Sequence, residues 1–363
     1  MINHVKNNWK KGCAVKITFD NGSFFETEKT EGYLHIGEHL AFSGTKGIPR
    51  NDLENLFGKI FGNIEASTSR EDLSFFCDFH QNDFEQAIKI LHEMIYNWQC
   101  TEKRFIKEKL MLKEESNDYY SSYEYRRTNY VYPLLPIRQS QVLASQKYIN
   151  SFGYKDINVI QKFWNRFLQE TGLDITVMCA DLTLKNKKML EKFFPKAKKQ
   201  NRFLQNFNID AFGKIAAERA GGVYFKSNIN SIKSLLLNKM YKERWLRDET
   251  LDFDYNFLMI EGLTVYYGYH DKKKISQQTI KSFFEKDFSR DDFIAVKKDF
   301  LKIFELLIDG MDSNLSLHWF DGFRFGKYAE LKKKNMSPKE IYSVFDNIQY
   351  KEMLSFMDFV KKD

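Results

Sequence analysis

Three residues, His35, Glu38 and His39, impose the strongest local constraint on this sequence. Their side chains meet only if the backbone around them is helical, because positions i, i+3 and i+4 share one face of an α-helix. The flanking residues agree with a helix. Gly32 precedes the segment, the helix is expected to run to about Phe42, and Gly44 is a fitting stop after it. Two neutral imidazoles one turn apart can bind one Zn²⁺. The carboxylate between them could take a proton from water polarised by the metal. Taken alone, the triplet is also what a surface helix with two unrelated histidines would present.

The chain has 363 residues, enough for two domains with cores of their own. Its 43% apolar and 29% charged content is ordinary for a globular protein. The net charge of +7 is a modest excess, and many of the cations fall between Lys185 and Arg202, which reads as a solvated helix and linker. No DNA- or RNA-binding signature accompanies them, so nucleic acid is not an expected partner. Cys13, Cys77, Cys100 and Cys179 form no C-x-x-C pair, and all but Cys100 lie in apolar stretches, so free buried thiols are expected. The first residues hold no apolar leader core and no run of about eighteen apolar residues exists, so no membrane span and a cytoplasmic location are expected.

Taken in order, residues 13–19 alternate as a strand and Asp20–Ser23 form a turn. A helix is expected over Leu53–Phe61, then a short strand Ile64–Thr68 that could be an exposed edge, and a strong strand Leu73–Phe79. Helices follow from Gln81 to Trp98 and, with Thr101 as cap, to about Ser116. This last helix carries Glu108, Glu114 and Glu115. Glu108 and Glu115 are two turns apart and share a face. A third protein ligand is what a catalytic zinc site needs. On their own these glutamates read as an ordinary solvated face.

The stretch from Gly22 to Glu115 resembles the pitrilysin/insulysin family of zinc peptidases, which includes the mitochondrial processing peptidases. The carrying residues are Gly22-Ser23, then Gly32-x-x-His35-x-x-Glu38-His39, Phe42-x-Gly44-Thr45, Ala66-x-Thr68, and finally Glu108 and Glu115. By that resemblance His35, His39 and Glu115 are the zinc ligands, Glu38 is the general base, and Glu108 is a second acidic residue that orients a ligand. The strand Ile64–Thr68, with Glu65, Ala66, Ser67 and Thr68, would bind the peptide substrate by strand addition. Glu65 stands where the family usually has asparagine, and Ala180 where it commonly has glycine at the end of the strand beginning at Leu173.

The resemblance implies an α+β fold of two tandem domains, each a mostly antiparallel sheet packed by helices, together forming one half of a clamshell. The expected boundaries are 1–195 for the zinc-binding domain, 196–208 for a linker and 209–363 for the second domain. In the second domain, Gly222–Phe225 reads as a strand, Ile232–Trp245 as a helix and Asp254–His270 as a hairpin. Helices are expected over Lys274–Phe288, Asp291–Leu307, Leu315–Lys334 and Ser337–Val360. The N-terminus looks short, because the family usually carries an extra strand before the one at Cys13. The implied activity is zinc-dependent endopeptidase, a peptide hydrolase acting on a peptide enclosed between two halves. The alternative is a non-catalytic structural subunit of the same family. With one half's worth of sequence, a second family subunit is the expected partner, as a heterodimer, with a homodimer as runner-up. Arg247 and Tyr255 are the nearest candidates for the Arg/Tyr pair that reaches the substrate carbonyl in complete family members, and they match that pattern poorly.

Overall fold

The computed structural model of the chain describes residues 2–6, 11–70, 72–121, 144–195, 224–227, 232–248, 250–251, 253–260, 263–269, 277–308 and 338–362. The chain divides into two compact units, Met1–Tyr125 with Arg138–Gln205, and Arg126–Ile137 with Asn206–Asp363. The expected linker 196–208 and the expected helix Leu315–Lys334 lie outside the described residues. Among the described residues no helix is long and apolar enough to cross a membrane.

The first unit is built on a five-stranded sheet. Its strands are β1 (Ile2–Lys6), β2 (Gly12–Phe19), β3 (Phe61–Thr68), β4 (Leu73–His80) and β5 (Leu173–Cys179), in the order β1-β5-β2-β4-β3. Every pairing is antiparallel except β1 with β5. Alternation puts Cys13, Val15, Ile17 and Phe19 of β2 on one face with Leu73, Phe75, Cys77 and Phe79 of β4, and all join one core. Ala14, Lys16 and Thr18 are buried as well, which fits a central strand covered on both sides. The free thiols follow the sequence expectation, with Cys13, Cys77 and Cys179 buried and Cys100 half-buried.

A strand does precede the one at Cys13, contrary to the sequence expectation. Residues 2–6 supply the edge strand beside β5, with Ile2 opposite Ile175 and Lys6 opposite Cys179. The stretch Ile-Asn-His-Val-Lys is too short and polar to announce a strand, and its pairing with a segment some 170 residues away supplies what propensity does not.

Helices pack on the core face. They are α1 (Tyr33–Ala41), α2 (Arg50–Ile60), α3 (Phe84–Tyr96), α4 (Glu102–Ser121), α5 (Gln146–Ser151), α6 (Ile157–Glu170) and α7 (Leu184–Phe193). Thr101 caps α4 as expected, accepting from the Arg104 amide at 3.3 Å. Helices α5 and α6 went unread in the sequence, although α6 buries Ile160, Phe163, Trp164, Phe167 and Leu168 at helical spacing.

The second unit has a three-stranded antiparallel sheet of β6 (Tyr224–Ser227), β7 (Asp254–Ile260) and β8 (Leu263–Tyr269), in the order β6-β8-β7. Its described helices are α8 (Ile232–Arg247), α9 (Gln277–Glu285), α10 (Arg290–Ile308), α11 (Pro338–Asn347) and α12 (Tyr350–Lys362). The single helix expected over Ser337–Val360 is therefore two helices. The chain restarts at Gln349, whose amide donates to the Glu352 carboxylate at 2.8 Å, a new N-terminal cap that ends the continuity.

The position of α1 depends on Gly37. A β-carbon there would overlap the Trp164 ring. Trp164 is buried and donates its Nε1–H to the Ile95 carbonyl at 2.8 Å, so the ring has nowhere to go. Gly37→Ala would gain about 1 kcal/mol of helix propensity. The overlap should cost about 1–3 kcal/mol, because closely packed cores do not absorb an added methyl freely. The expected net result is a lower melting temperature by circular dichroism, and an unchanged or raised value would refute this account of the packing.

Candidate metal centre

Helices α1 and α4 bring together residues that the sequence separates by 76 positions. His35 and His39 come from α1, with ring centroids 4.9 Å apart and planes at 84°. Glu115 comes from α4. Its Oε2 lies 3.5 Å from His35 Nε2 and 3.4 Å from His39 Nε2. One donor atom from each residue falls within 4.8 Å of the others, and no other such group of three converges among the described residues. In a tetrahedral site with metal–donor bonds near 2.0–2.1 Å, donor atoms lie about 3.4 Å apart along each edge. The two separations from Glu115 match that edge, and two imidazoles with one carboxylate form a borderline donor set suited to zinc.

Glu108 lies one layer behind. Its Oε2 is 3.3 Å from His39 Nδ1, which turns the other ring nitrogen toward Glu115. Arg104, one turn earlier on α4, forms an ion pair with the same carboxylate. Glu108 and its guanidinium are both largely shielded from water, so each charge needs the other. Arg104 was legible as an i,i+4 partner of Glu108 and was not singled out. His35 has no such support, for its Nδ1 is buried without a hydrogen-bond partner among the described residues.

Glu38, also on α1, is buried, and its Oε2 accepts the Thr68 hydroxyl at 2.5 Å. Burial pushes its carboxyl above the ordinary range, opposed by the Thr68 bond and the nearby His39. Thr68 was expected on the substrate-binding strand. It lies on β3 but is buried and committed to Glu38, so it belongs beside the acid–base candidate. Ala66 is half-buried against the core, whereas Glu65 and Ser67 are exposed on the edge strand. The Glu65 carboxylate accepts from Asn63 Nδ2 at 2.9 Å.

Tyr255 and Arg247, the poorly matching candidates for the Arg/Tyr pair, both have partners within the second unit. Tyr255 is buried in the second unit, packed with Tyr241, Phe283 and Phe284, and its hydroxyl donates to Asn238 Oδ1 at 2.8 Å. Arg247 is exposed but faces Asp292 at 3.4 Å and Glu243 at 3.8 Å. A tyrosine on a half-apolar strand reads equally well as a core residue, in keeping with the poor match of this pair in the sequence.

Residues 3–135 match the family model described as Insulinase (Peptidase family M16). This chain carries an M16 domain. Curated relatives of the domain include the ubiquinol-cytochrome-c reductase complex core protein I of Euglena gracilis, 33% identical over 106 residues. That alignment covers 29% of this chain and 22% of the relative. The mitochondrial-processing peptidase subunit beta of Mus musculus is 31% identical over 113 residues, covering 31% of this chain and 23% of that protein. The match thus spans about a fifth of the length of these M16 relatives. The periplasmic protease PqqL of Escherichia coli shares the fold with a TM-score of 0.69 at 13% identity, over 99% of this chain and 45% of its own.

The two histidines of the M16 motif titrate in opposite directions when no metal is bound. Burial, with His39 adding repulsion, lowers His35 to about 3. Burial also acts to lower His39, but the Glu108 and Glu115 carboxylates override it and hold the ring up to about 9. The folded-state value of His39 lies above its unfolded value near 6.5. Its contribution to stability is therefore complete below pH 6.5 and is lost as the pH rises through about 9. In metal-free protein, the melting temperature of the parent should exceed that of His39→Gln at pH 6, and the gap should narrow steadily toward pH 9. A gap independent of pH would show that the carboxylates do not hold the ring protonated.

Proposed function

We propose that this chain is the catalytic subunit of a zinc-dependent endopeptidase, with His35, His39 and Glu115 holding the metal and Glu38 acting as general base. The single observation that carries the reading is the convergence of three donor atoms from two helices within 4.8 Å of one another, with Glu115 at tetrahedral-edge distance from both histidines and a buried carboxylate beside them. Zinc held there supplies Lewis-acid polarisation of a carbonyl and of an attacking water. Glu38 would take the proton that water loses and return it to the leaving amine. Its upward-shifted carboxyl holds a proton more readily than an ordinary carboxylate, which suits a group that must accept one and return it. Thr68 occupies one Glu38 oxygen and so fixes the direction in which the other can act. Glu108, itself anchored by Arg104, keeps the His39 ring in its tautomer and orientation.

The substrate class is peptide. Strand β3 pairs with β4 on one side only, and its other edge carries no strand among the described residues. A peptide adding to that edge would be held by backbone hydrogen bonds, which suits a sequence-tolerant endopeptidase. Glu65 and Ser67 are exposed on that strand and would bias the choice of side chains. A second family subunit is the proposed partner. The fold of this chain matches 45% of the PqqL chain, so an enclosure of that size would need a second such half. Since Tyr255 and Arg247 are engaged within their own unit, a heterodimer is better supported than a homodimer that draws those residues from a second copy.

The likeness to a cytochrome reductase core protein favours one second reading, a subunit with a structural role and no turnover. Two substitutions separate the readings. Glu115→Gln should lose most bound zinc by elemental analysis, because a neutral amide is a poorer ligand. Glu38→Gln should keep zinc and fold while cleaving peptides on the order of a hundredfold more slowly, assayed with the partner subunit present. Undiminished zinc in the first variant would sink the ligand assignment. A parent complex that binds zinc yet never cleaves peptide would leave the structural reading.

A further inference from the structure

Glu26 is a buried carboxylate that the proposed chemistry does not use, and it reaches the helix that carries both histidines. It is 4% exposed. Its Oε2 accepts the Gly32 amide at 3.0 Å and its Oε1 accepts the Leu34 amide at 2.7 Å. These are the cap residue and the second residue of α1, so both oxygens hold the first turn. Gly32 has no side chain to cap the helix and takes a left-handed φ of 86°. A β-carbon there would also come within 2.7 Å of the Ala144 side chain. Helix α1 has nine residues, well below the length at which an isolated helix holds itself together. His35 is its third residue and so lies in that same first turn.

We propose that Glu26 is a positioning residue for the metal centre: its carboxylate clamps the first turn of α1 and thereby aims His35 at Glu115. The proposal rests on the zinc reading given above. The clamp is suited to a carboxylate in particular. Two oxygens accept two amides, and negative charge sits favourably at the positive end of a helix. Glutamine has the same shape but one acceptor, and its amide group would face a backbone N–H. Burial opposes the negative charge and raises Glu26 to about 8 although the two amide bonds act to lower it, so the ionised clamp strengthens as the pH rises through about 8. His39 has Glu108 to orient it, whereas His35 has no corresponding side-chain partner among the described residues. The backbone clamp would fix for His35 what Glu108 fixes for His39.

The test compares the full-length parent, Glu26→Gln and Glu26→Asp. Amide hydrogen exchange is followed over residues 32–36 in metal-free protein, with α3 as internal control. Zinc affinity is measured by competition with a chromogenic chelator. In the glutamine variant, exchange over 32–36 should rise at least tenfold while α3 is unchanged, and zinc binding should weaken by about ten- to a hundredfold, the range seen when groups that orient a ligand are removed. The aspartate variant keeps both oxygens on a shorter arm and should recover part of the affinity. Zinc affinity within twofold of the parent in a folded glutamine variant overturns the proposal, even if that variant melts earlier, because a purely structural role predicts that result. Should the glutamine variant fail to fold, the aspartate variant decides: parent-like zinc affinity despite lost protection over 32–36 overturns the clamp. A parent that binds no zinc refutes the metal reading separately. The exchange arm then stands alone, and unchanged protection in the glutamine variant overturns the proposal.

Discussion

The site depends on one imidazole that touches α4 at two points. His39 Nδ1 meets Glu108 and His39 Nε2 meets Glu115, at 3.3 and 3.4 Å. Because the two glutamates are seven residues apart on one helix face, a single ring can bridge them only when α1 crosses α4 at the right height. That crossing is set elsewhere, by Gly37 against Trp164 and by the Trp164 bond to Ile95 on α3. The candidate ligands are therefore placed by packing that contains none of them, which is how a rigid scaffold holds donors to a few tenths of an ångström.

Electrostatics then sorts the acidic and basic groups into roles. Glu108 is nearly inaccessible to water, and a carboxylate so placed must be paired. Arg104 pairs it from the side away from His39, so the charge is neutralised without competing for the ring. Glu115 is about half exposed, and the His39 hydrogen bond holds its carboxyl below the usual range. Burial raises Glu38, against the Thr68 hydrogen bond and the charge of His39. Glu115 and Glu38 thus differ in proton affinity because of their surroundings, the kind of separation that assigns different roles to carboxylates in one hydrolytic site.

The parts of this site legible in the sequence were those fixed by helical period. His35, Glu38 and His39 share a face by i, i+3, i+4 spacing, and Glu108 and Glu115 by two whole turns, although only the family resemblance set those two glutamates apart from a solvated face. The strands around Cys13 and Leu73 were legible because alternation and apolar content coincide there. What stayed hidden depends on contacts that no local pattern encodes. Strand β1 exists through pairing with β5, and Trp164 matters only because Gly37 faces it. Glu26 sits in a polar loop run of Glu26-Thr-Glu-Lys-Thr-Glu31, where nothing distinguishes the one carboxylate that turns inward. Thr68 lies on the expected strand, but the two-residue alternation alone does not say that its hydroxyl meets Glu38.

Tyr255 shows the same limit and carries a consequence for the assembly. Its ring is packed among Tyr241, Phe283 and Phe284 and its hydroxyl is given to Asn238. Turning it out toward a peptide would leave the Asn238 oxygen without that donor and open a cavity in an aromatic core. The first change costs about 1–3 kcal/mol, and the loss of an aromatic side chain from a core typically costs about 3–5 kcal/mol. No single substrate hydrogen bond, worth about 0.5–1.5 kcal/mol net, offsets that sum. Under the two-subunit reading, the group that completes the oxyanion site has to come from a residue other than Tyr255. The opposing wall is then a chain that differs from this one at that position or presents a different surface.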